Sequence, residues 1–152
     1  MESTNTTTQV LVDLLRINKD RVEGYKNASY NTNVADLKGI FSSMADESRK
    51  NVTDLTKEII HIHSNSDIEK IANDGLIYKT WLELKAQFAG SSLVIDNLLN
   101  CESAEKAVLK AYTVAKNNSF SEHLCELIDR QEESLKKSYE VIRSHRQTYS
   151  KN

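Results

Sequence analysis

Proline is absent from this chain of 152 residues, and glycine occurs only four times. These two residues most often end or interrupt a helix, so long helices can run without a break. Cysteine is also scarce: Cys101 and Cys125 stand apart without a CxxC motif, which argues against a disulfide scaffold or a zinc knuckle. We expect two reduced, packed thiols. The chain as a whole is predicted to be all-helical.

Neither sign of charge dominates, and no long apolar run is present. Lys and Arg total 20 against 22 for Asp and Glu, so the basic surface of a nucleic-acid or anionic-membrane binder is missing. The N-terminus, MESTNTTTQVLVDLL, has no secretory pattern, and nowhere do about 18 apolar residues follow one another. We expect a cytoplasmic protein without nucleic-acid or membrane partners, folded as one domain over residues 1–152.

Apolar residues recur at three- and four-residue steps in four long segments, which predicts four long amphipathic helices. Their predicted limits are Thr8 to Tyr30, the turn NTN at 31–33 to His61, Leu93 to Lys116, and a capping box of Ser119 and Glu122 onward, with fraying beyond His145. Turn residues follow the first and third of these segments, as NTN at 31–33 and NNS at 117–119. The fold is therefore predicted to be stabilised by the packing of helices against one another.

The connection between the second and third long helices is predicted to carry further helical structure. A capping box of Ser66 and Glu69 marks a turn within 63–75, and a short helix over 76–88 holds Trp81, which is expected to seal one end of the core. The other two connections are short, so each joins an antiparallel hairpin. One long crossover between two hairpins is the ferritin-like four-helix bundle, the predicted architecture.

Several polar side chains lie on the apolar stripes of these helices. NKDRVEGY places Asn18 seven residues before Tyr25, and EKAVLKAY places Glu105 seven residues before Tyr112, which suggests that the two hairpins are related copies. Glu102 lies on the same face as Glu105. The second and fourth long helices add polar residues at matching three-residue steps: Ser48 and Asn51, and Gln131 and Ser134. A polar core is predicted where these faces meet.

The chain resembles a bacterial family of ferritin-like four-helix bundles that is named only as a domain of unknown function. The resemblance covers nearly the whole chain and rests on LLRINKDRVEGYKNAS, FSSMADESRKNVTDL, WLELKAQFAG, CESAEKAVLKAY and DRQEESLKKSYEVIRSHR. A more distant similarity connects it to rubrerythrin and other di-iron members of the ferritin-like superfamily, whose helices contribute Glu and Glu-x-x-His ligands. This likeness implies that six residues occupy the ligand slots: Asn18, Ser48, Asn51, Glu105, Gln131 and Ser134.

The residues in these slots are poor ligands for iron. Only Glu105 is a carboxylate, Glu102 is a candidate second one, and the Glu-x-x-His pattern is missing at the slots. Neutral amides and hydroxyls bind iron weakly. We therefore expect a degenerate di-metal site without a cofactor, and a residual polar core in which Tyr25 and Tyr112 supply hydrogen bonds.

Three hypotheses of function follow. The leading one is a non-catalytic, stress-linked or scaffold module that associates with itself or with an unknown protein partner. The second is a divergent iron oxidase or storage protein that holds iron or another divalent metal on Glu102 and Glu105, with Glu47 or Glu132 recruited by helix rotation. Without that rotation Glu47, Glu132 and Glu133 lie one position off their stripes and are predicted to face water. The third is a binder of small apolar ligands in the bundle interior.

Overall fold

The computed structural model describes residues 2–63, 75–85, 88 and 91–150. In these ranges the chain forms five helices and no strand, so the predicted all-helical class is confirmed. The helices are α1 Glu2–Tyr30, α2 Ala35–His63, α3 Leu76–Lys85, α4 Val94–Ala115 and α5 Glu122–Ser150. Among the residues described, no helix is both long enough and apolar enough to cross a membrane. The turn predicted to begin at Ser66 lies outside the described ranges.

Two helix starts differ from the sequence-based prediction. α1 begins at Glu2, earlier than the predicted Thr8, because the polar residues before Thr8 include no helix breaker. α5 begins at Glu122, and the backbone N–H of Leu124 donates to Ser121 Oγ at 3.3 Å. Ser121, and not the predicted Ser119, therefore caps this helix.

Two helix ends also differ from the prediction. α3 ends at Lys85 rather than at 88, and Phe88 follows it as a buried residue outside the helix. α5 continues to Ser150, so the predicted fraying beyond His145 is wrong. In this last segment Arg146 pairs with an acid of α4, and Tyr149 packs against the core. These tertiary contacts stabilise the last turns where the apolar stripe thins out.

Side-chain pairs give the directions of the helices. In each neighbouring pair, later residues of one helix contact earlier residues of the other, so the two helices are antiparallel. The pairs are Asn18–Asn51 and Tyr25–Phe41 for α1 and α2, Tyr112–Gln131 and Glu102–Arg146 for α4 and α5, Asn18–Tyr112 and Ala28–Asn97 for α1 and α4, and Glu58–His123 and Glu47–Ser138 for α2 and α5. Because α2 and α4 both oppose α1, they run in the same direction.

The core lies where the apolar stripes of these four helices meet. Each fully buried aliphatic or aromatic side chain stabilises the fold by about 1.5–3 kcal/mol relative to an exposed position. Residues with no exposed surface come from all four helices: Leu11, Leu14, Ile17, Phe41, Leu55, Ile59, Leu98, Val108, Ile128, Leu135 and Ile142. The polar residues of the stripes therefore lie inside an apolar interior.

Helix α3 packs against the side of α1 and α4, outside the four long helices. Two acids of α1 hold it there. Asp13 accepts a hydrogen bond from the backbone N–H of Tyr78 at 3.3 Å, and Asp20 accepts bonds from Tyr78 Oη at 3.0 Å and Trp81 Nε1 at 2.9 Å. Trp81 is buried, but it covers the flank of the bundle beside Asp20 rather than an end, because α3 lies alongside α1.

The chain after α3 returns to the core through Phe88. Its ring contacts Tyr25 edge to face, with ring centroids 4.9 Å apart and an interplanar angle of 88°. The approach depends on Gly24, because a Cβ atom there would lie 2.6–2.7 Å from three atoms of the Phe88 ring. Tyr25 is thus packed from the α3 side while its hydroxyl faces the polar interior.

Candidate functional site

A buried arginine lies at the centre of the bundle, among the predicted ligand positions. Arg21 comes three residues after Asn18 and four before Tyr25, so all three share one face of α1. Its side chain has no exposed surface. The sequence analysis missed Arg21, although its position on the stripe, facing an unexplained acid on another helix, was the signal that could have found it.

Each of the five N–H groups of the Arg21 guanidinium has an acceptor within reach. Nε donates to both carboxylate oxygens of Glu105 at 3.1 and 3.2 Å, and Nη2 donates to Glu105 Oε1 at 2.6 Å and lies 2.9 Å from Glu47 Oε1. Nη1 donates to Ser48 Oγ at 2.8 Å and to the Met44 carbonyl at 3.1 Å. The charge is therefore enclosed by two carboxylates and a complete set of hydrogen bonds, which offset the cost of its burial.

The surroundings of Arg21 keep it protonated. Burial by itself lowers the pKa of the guanidinium, but the nearby carboxylate of Glu105, with Tyr25 and Glu47, outweighs burial and raises the pKa above its ordinary value. An arginine is charged throughout the physiological range even without such help. The bundle interior thus holds a permanent positive charge.

The tyrosines of α1 and α4 form hydrogen bonds across to the other helix, Tyr25 with Glu105 and Tyr112 with Asn18. Tyr25 Oη donates to Glu105 Oε1, and Asn18 Nδ2 donates to Tyr112 Oη at 3.0 Å. Tyr112 Oη in turn donates to Gln131 Oε1 at 2.6 Å. The seven-residue spacing seen in both helices therefore produces a crossed pair of contacts. Burial is the main cause that raises the pKa of both phenols.

Asn18 connects this arrangement to the polar residues of α2. Its Oδ1 accepts hydrogen bonds from Ser48 Oγ at 2.9 Å and from Asn51 Nδ2 at 3.1 Å. Its Nδ2 also donates to the Leu14 carbonyl at 2.9 Å, one turn earlier in α1. The amide is therefore held in one orientation by contacts to three helices.

Ser134 joins the network through Glu47. The hydroxyls of Ser134 and Ser138, the latter at 2.8 Å, donate to the carboxylate of Glu47, which also contacts Arg21. The side chain of Glu47 is only 17% exposed, so the prediction that it faces water is wrong. The charge of Arg21 and the two hydroxyls draw this acid into the seam between α2 and α5.

Glu102 does not share a site with Glu105. Its carboxylate accepts two hydrogen bonds from Arg146, from Nε at 3.0 Å and from Nη2 at 2.8 Å. Glu102 and Glu105 are thus each matched with a different arginine. Six of the seven predicted polar-core residues and both tyrosines belong to the central network, whereas Glu102 belongs to a separate, more peripheral pair with α5.

The other two acids predicted to face water differ from each other. Glu132 is only 6% exposed and accepts a hydrogen bond from Lys116 Nζ at 2.9 Å, so that prediction is wrong. The hydrogen bond to Glu132 is the main cause that raises the pKa of Lys116. Glu133 is exposed, as predicted. Residues one position off the stripe are buried or half-buried here where a cation from another segment reaches them.

The two cysteines also differ from each other. Cys101 is buried beside the network, and burial, followed by the charge of Glu105, raises the pKa of its thiol. Cys125 is exposed on α5, so the prediction of two packed thiols is wrong for this residue. A buried thiol with a raised pKa is a poor nucleophile, because the reactive form is the thiolate. Cys101 therefore acts as a packing residue.

These donors do not suit a di-metal centre. The guanidinium of Arg21 fills the space between Glu47 and Glu105, with contacts of 2.9 and 2.6 Å, so a divalent cation there would meet a positive charge at close range. The other slots hold neutral amides and hydroxyls, which are weak ligands for iron. Over residues 2–63, 75–85, 88 and 91–150, no three His, Cys, Asp or Glu side chains come together in a group suited to a metal ion.

Comparison with known proteins places the described helices in context. A family model, described as Domain of unknown function (DUF2383), matches residues 6–118. The matched range includes most of α1 and all of α2, α3 and α4, whereas α5 lies beyond it. No curated protein and no solved structure matches the chain.

Proposed function

This chain belongs to the family described as Domain of unknown function (DUF2383), and we propose that it is a non-catalytic, ferritin-like scaffold or interaction module. In this proposal an arginine replaces the metal ions of a di-iron bundle, and the protein acts through its surface. The observation that carries the proposal is the position of the buried Arg21 guanidinium between Glu105 and Glu47.

The helix directions support the ferritin-like part of the proposal. α1 with α2 and α4 with α5 form antiparallel pairs, while α2 and α4 run in the same direction. A connection between two parallel helices has to return along their length, and α3 lies in this connection against α1 and α4. Two hairpins joined by one long crossover are characteristic of ferritin-like folds.

The chemistry of the interior supports the non-catalytic part. A di-iron centre stabilises its carboxylates with two divalent cations, and here a single guanidinium takes that place for Glu105 and Glu47. A guanidinium has no redox chemistry. Because the pKa of Arg21 is raised, it also stays protonated and cannot act as a general acid or base. The phenols of Tyr25 and Tyr112 are likewise held protonated by burial.

The surface is where such a module would act. Tyr30, at the end of α1, is 86% exposed, and Leu93, just before α4, is 61% exposed. The hydrogen bond from Asn97 Nδ2 to the Ala28 carbonyl, at 3.0 Å, brings these two helix ends to the same end of the bundle. Exposed apolar residues at one end are suited to a partner protein or a second copy of the chain.

The divergent metal-binding hypothesis requires a different arrangement of the acids on α4. It requires Glu102 and Glu105 to share a metal, whereas the bidentate pairing of Glu102 with Arg146 draws these acids to different partners. Metal binding would have to displace two arginines from buried or partly buried carboxylates. Breaking one buried ion pair costs about 3–5 kcal/mol, so we place this hypothesis second.

Metal content distinguishes the two hypotheses. We expect the purified protein to contain far less than one equivalent of iron, manganese or zinc, and not to accelerate the oxidation of ferrous iron. In Arg21→Ala, Glu47 and Glu105 would face each other without a cation, and added manganese should then raise the melting temperature of this variant alone. The exposed Arg49 offers a matched control in Arg49→Ala. Stoichiometric metal in the wild-type protein that is lost in Glu105→Gln would overturn the proposal.

Light scattering over a range of concentrations, together with affinity capture, tests the interaction part. We expect self-association or a specific partner, weakened by replacing Tyr30 and Leu93 with Ser. A protein that stays monomeric and captures no partner would contradict this part of the proposal, while leaving the metal measurement unaffected.

A further inference from the structure

An apolar pocket lies between α3 and α4, outside the polar network of the bundle. Its volume is about 220 Å³. Six apolar side chains from the two helices form most of its wall: Ile77, Trp81, Leu84, Ala107, Ala111 and Val114. The four long helices fill their shared interior with one another, whereas α3 meets α4 along only one side. The pocket therefore offers apolar surface that no described residue covers.

Among the residues that the structure describes, one charged side chain lines this pocket. Lys110 is exposed on α4 and has no hydrogen bond or ion pair with any residue that the structure describes. The other polar group in the lining is Thr80, whose hydroxyl already donates to the Leu76 carbonyl at 3.0 Å. The lining thus combines an apolar wall with one positive charge at its edge that no described residue pairs with.

We propose that this pocket binds a short aliphatic carboxylic acid, with the chain against Trp81 and Ala111 and the carboxylate near Lys110. The volume is below the roughly 300–1,000 Å³ of pockets for drug-sized ligands, which favours a short chain. An apolar wall with a single cation complements a molecule that has a hydrocarbon tail and one negative charge. Long lysine side chains suit this position, because their stems pack on apolar surface while the ammonium stays in water.

The wall of the pocket is preorganised on its α3 side. Asp20 accepts a hydrogen bond from Trp81 Nε1 at 2.9 Å and pairs with Lys85 Nζ at 3.1 Å. These contacts fix the polar edge of the indole towards α1 and leave carbon atoms of the ring to line the pocket. A wall that is already fixed loses little conformational entropy when a ligand binds.

Trp81 is the only tryptophan and lines this pocket, so tryptophan fluorescence gives a signal for ligand binding there. The experiment titrates the full-length protein with straight-chain fatty acids from hexanoate to dodecanoate, and with the alcohols of equal length, below their micelle concentrations. We expect saturable changes in emission, with affinity rising about three- to fourfold for each added methylene until the pocket is full. Each alcohol should bind about 1.4- to fivefold more weakly than its acid, the range expected for an exposed ion pair.

Three variants assign the signal to the pocket. Lys110→Met should reduce the affinity for the acid to that for the alcohol and leave alcohol binding unchanged. Lys106→Met, an exposed lysine one turn earlier in α4 that does not line the pocket, should bind both ligands as the wild type does. Ala111→Phe should fill the pocket and abolish both, with circular dichroism to verify its fold.

Several results would overturn the proposal. These are the absence of a saturable response, equal binding of acids and alcohols, and an unchanged preference for the acid in Lys110→Met. An emission spectrum that shifts with protein concentration alone, together with a dimer in light scattering, would show that a second copy covers the pocket and would also overturn it.

Discussion

Arg21 of α1 and Glu105 of α4 form an ion pair that is closed to solvent, joined by three hydrogen bonds of 2.6 to 3.2 Å. This pair explains why an acid lies on an apolar stripe of α4. A single ionised carboxylate in an apolar interior is strongly destabilising, but a guanidinium with matching geometry offsets that cost. Glu47 adds a second negative charge to the same guanidinium from α2.

Removing the guanidinium should destabilise the protein strongly. Arg21→Met would leave Glu105 buried without a cation, and we expect the free energy of unfolding to fall by about 3–5 kcal/mol. In the double variant Arg21→Met with Glu105→Gln, part of this loss should be recovered, since neither charge remains. Urea unfolding of the four proteins in the cycle gives the coupling energy.

The second arginine pair provides the comparison. Arg146 is 25% exposed and Glu102 is 9% exposed, so water screens this pair more than the central one. Arg146→Met should therefore lower the free energy of unfolding by much less than Arg21→Met does. Equal losses in the Arg21 and Arg146 variants would show that the central pair has no special role in stability.

Two glycines in helix interiors should respond to alanine with opposite signs. At Gly24 the new Cβ would collide with the ring of Phe88, so Gly24→Ala should cost about 1–3 kcal/mol. At Gly39 nothing lies within 4 Å of the new Cβ, so Gly39→Ala should stabilise α2 by about 0.5–1 kcal/mol through helix propensity. Thermal unfolding measures both. A stabilising Gly24→Ala would mean that Phe88 does not dock there.

Asp20 should control both the docking of α3 and the acidity of Tyr78. Burial, followed by the hydrogen bond to Asp20, raises the pKa of Tyr78 to about 12. In Asp20→Ala this pKa should fall partway towards the ordinary value of 10.0, since burial remains. The lost bonds to a charged acceptor should cost about 1.5–3 kcal/mol, and the emission of Trp81 should shift to longer wavelength.

Tyrosinate absorbance and tryptophan fluorescence check the Asp20 prediction. Asp46→Ala, at a residue 73% exposed, is the matched control and should change stability by less than about 0.5 kcal/mol. An unchanged titration of Tyr78 in Asp20→Ala would contradict the assigned hydrogen bond.

Alkaline pH should destabilise the protein through its buried weak acids. Burial raises the pKa of Tyr25 and Tyr112 above the ordinary 10.0, and that of Cys101 above 9.0. A raised folded-state pKa means that the native protein keeps a proton which the unfolded chain loses. The stability from these groups is therefore complete below about pH 9 and is lost as the pH rises. Above about pH 10, each group contributes a slope of up to about 1.4 kcal/mol per pH unit.

Urea unfolding at several alkaline pH values measures this slope. Tyr112→Phe should make it shallower by the contribution of one group. Tyr30→Phe, at a residue 86% exposed, should leave it unchanged. A slope that is the same in all three proteins would indicate that the tyrosine phenols do not cause the alkaline loss.

The positions of the long helices could be predicted from the sequence, but some of their ends could not. Apolar spacing placed the C-terminus of α1 at Tyr30, as observed, because that signal is local and repeats over many turns. The start of α5 was misassigned to Ser119, since two serines within three residues can both cap a helix and only the backbone path selects Ser121. The extension of α5 to Ser150 depends on Arg146 and Tyr149, whose contacts come from other parts of the fold.

Most residues of the polar core could also be predicted from the sequence, but their hydrogen-bond partners could not. Asn18 and Glu105 were identified from their places on the stripes, and both are fully buried. Their partners are crossed, with Asn18 on Tyr112 and Glu105 on Tyr25, because α1 and α4 are antiparallel neighbours. Such pairings depend on which helices are adjacent, which helical periodicity does not encode.

By itself, the sequence determined that this protein is helical and which faces of its helices are buried, because propensity and periodicity act within a few turns of one helix. Only the tertiary structure decided what neutralises Glu105. A charged residue on a stripe can be matched by a metal, a proton or a cation from another helix, and these differ only in what lies within about 3 Å. The fold brings Arg21 to that distance, and so the residue that gives the interior its chemistry lies 84 positions away from the acid it serves.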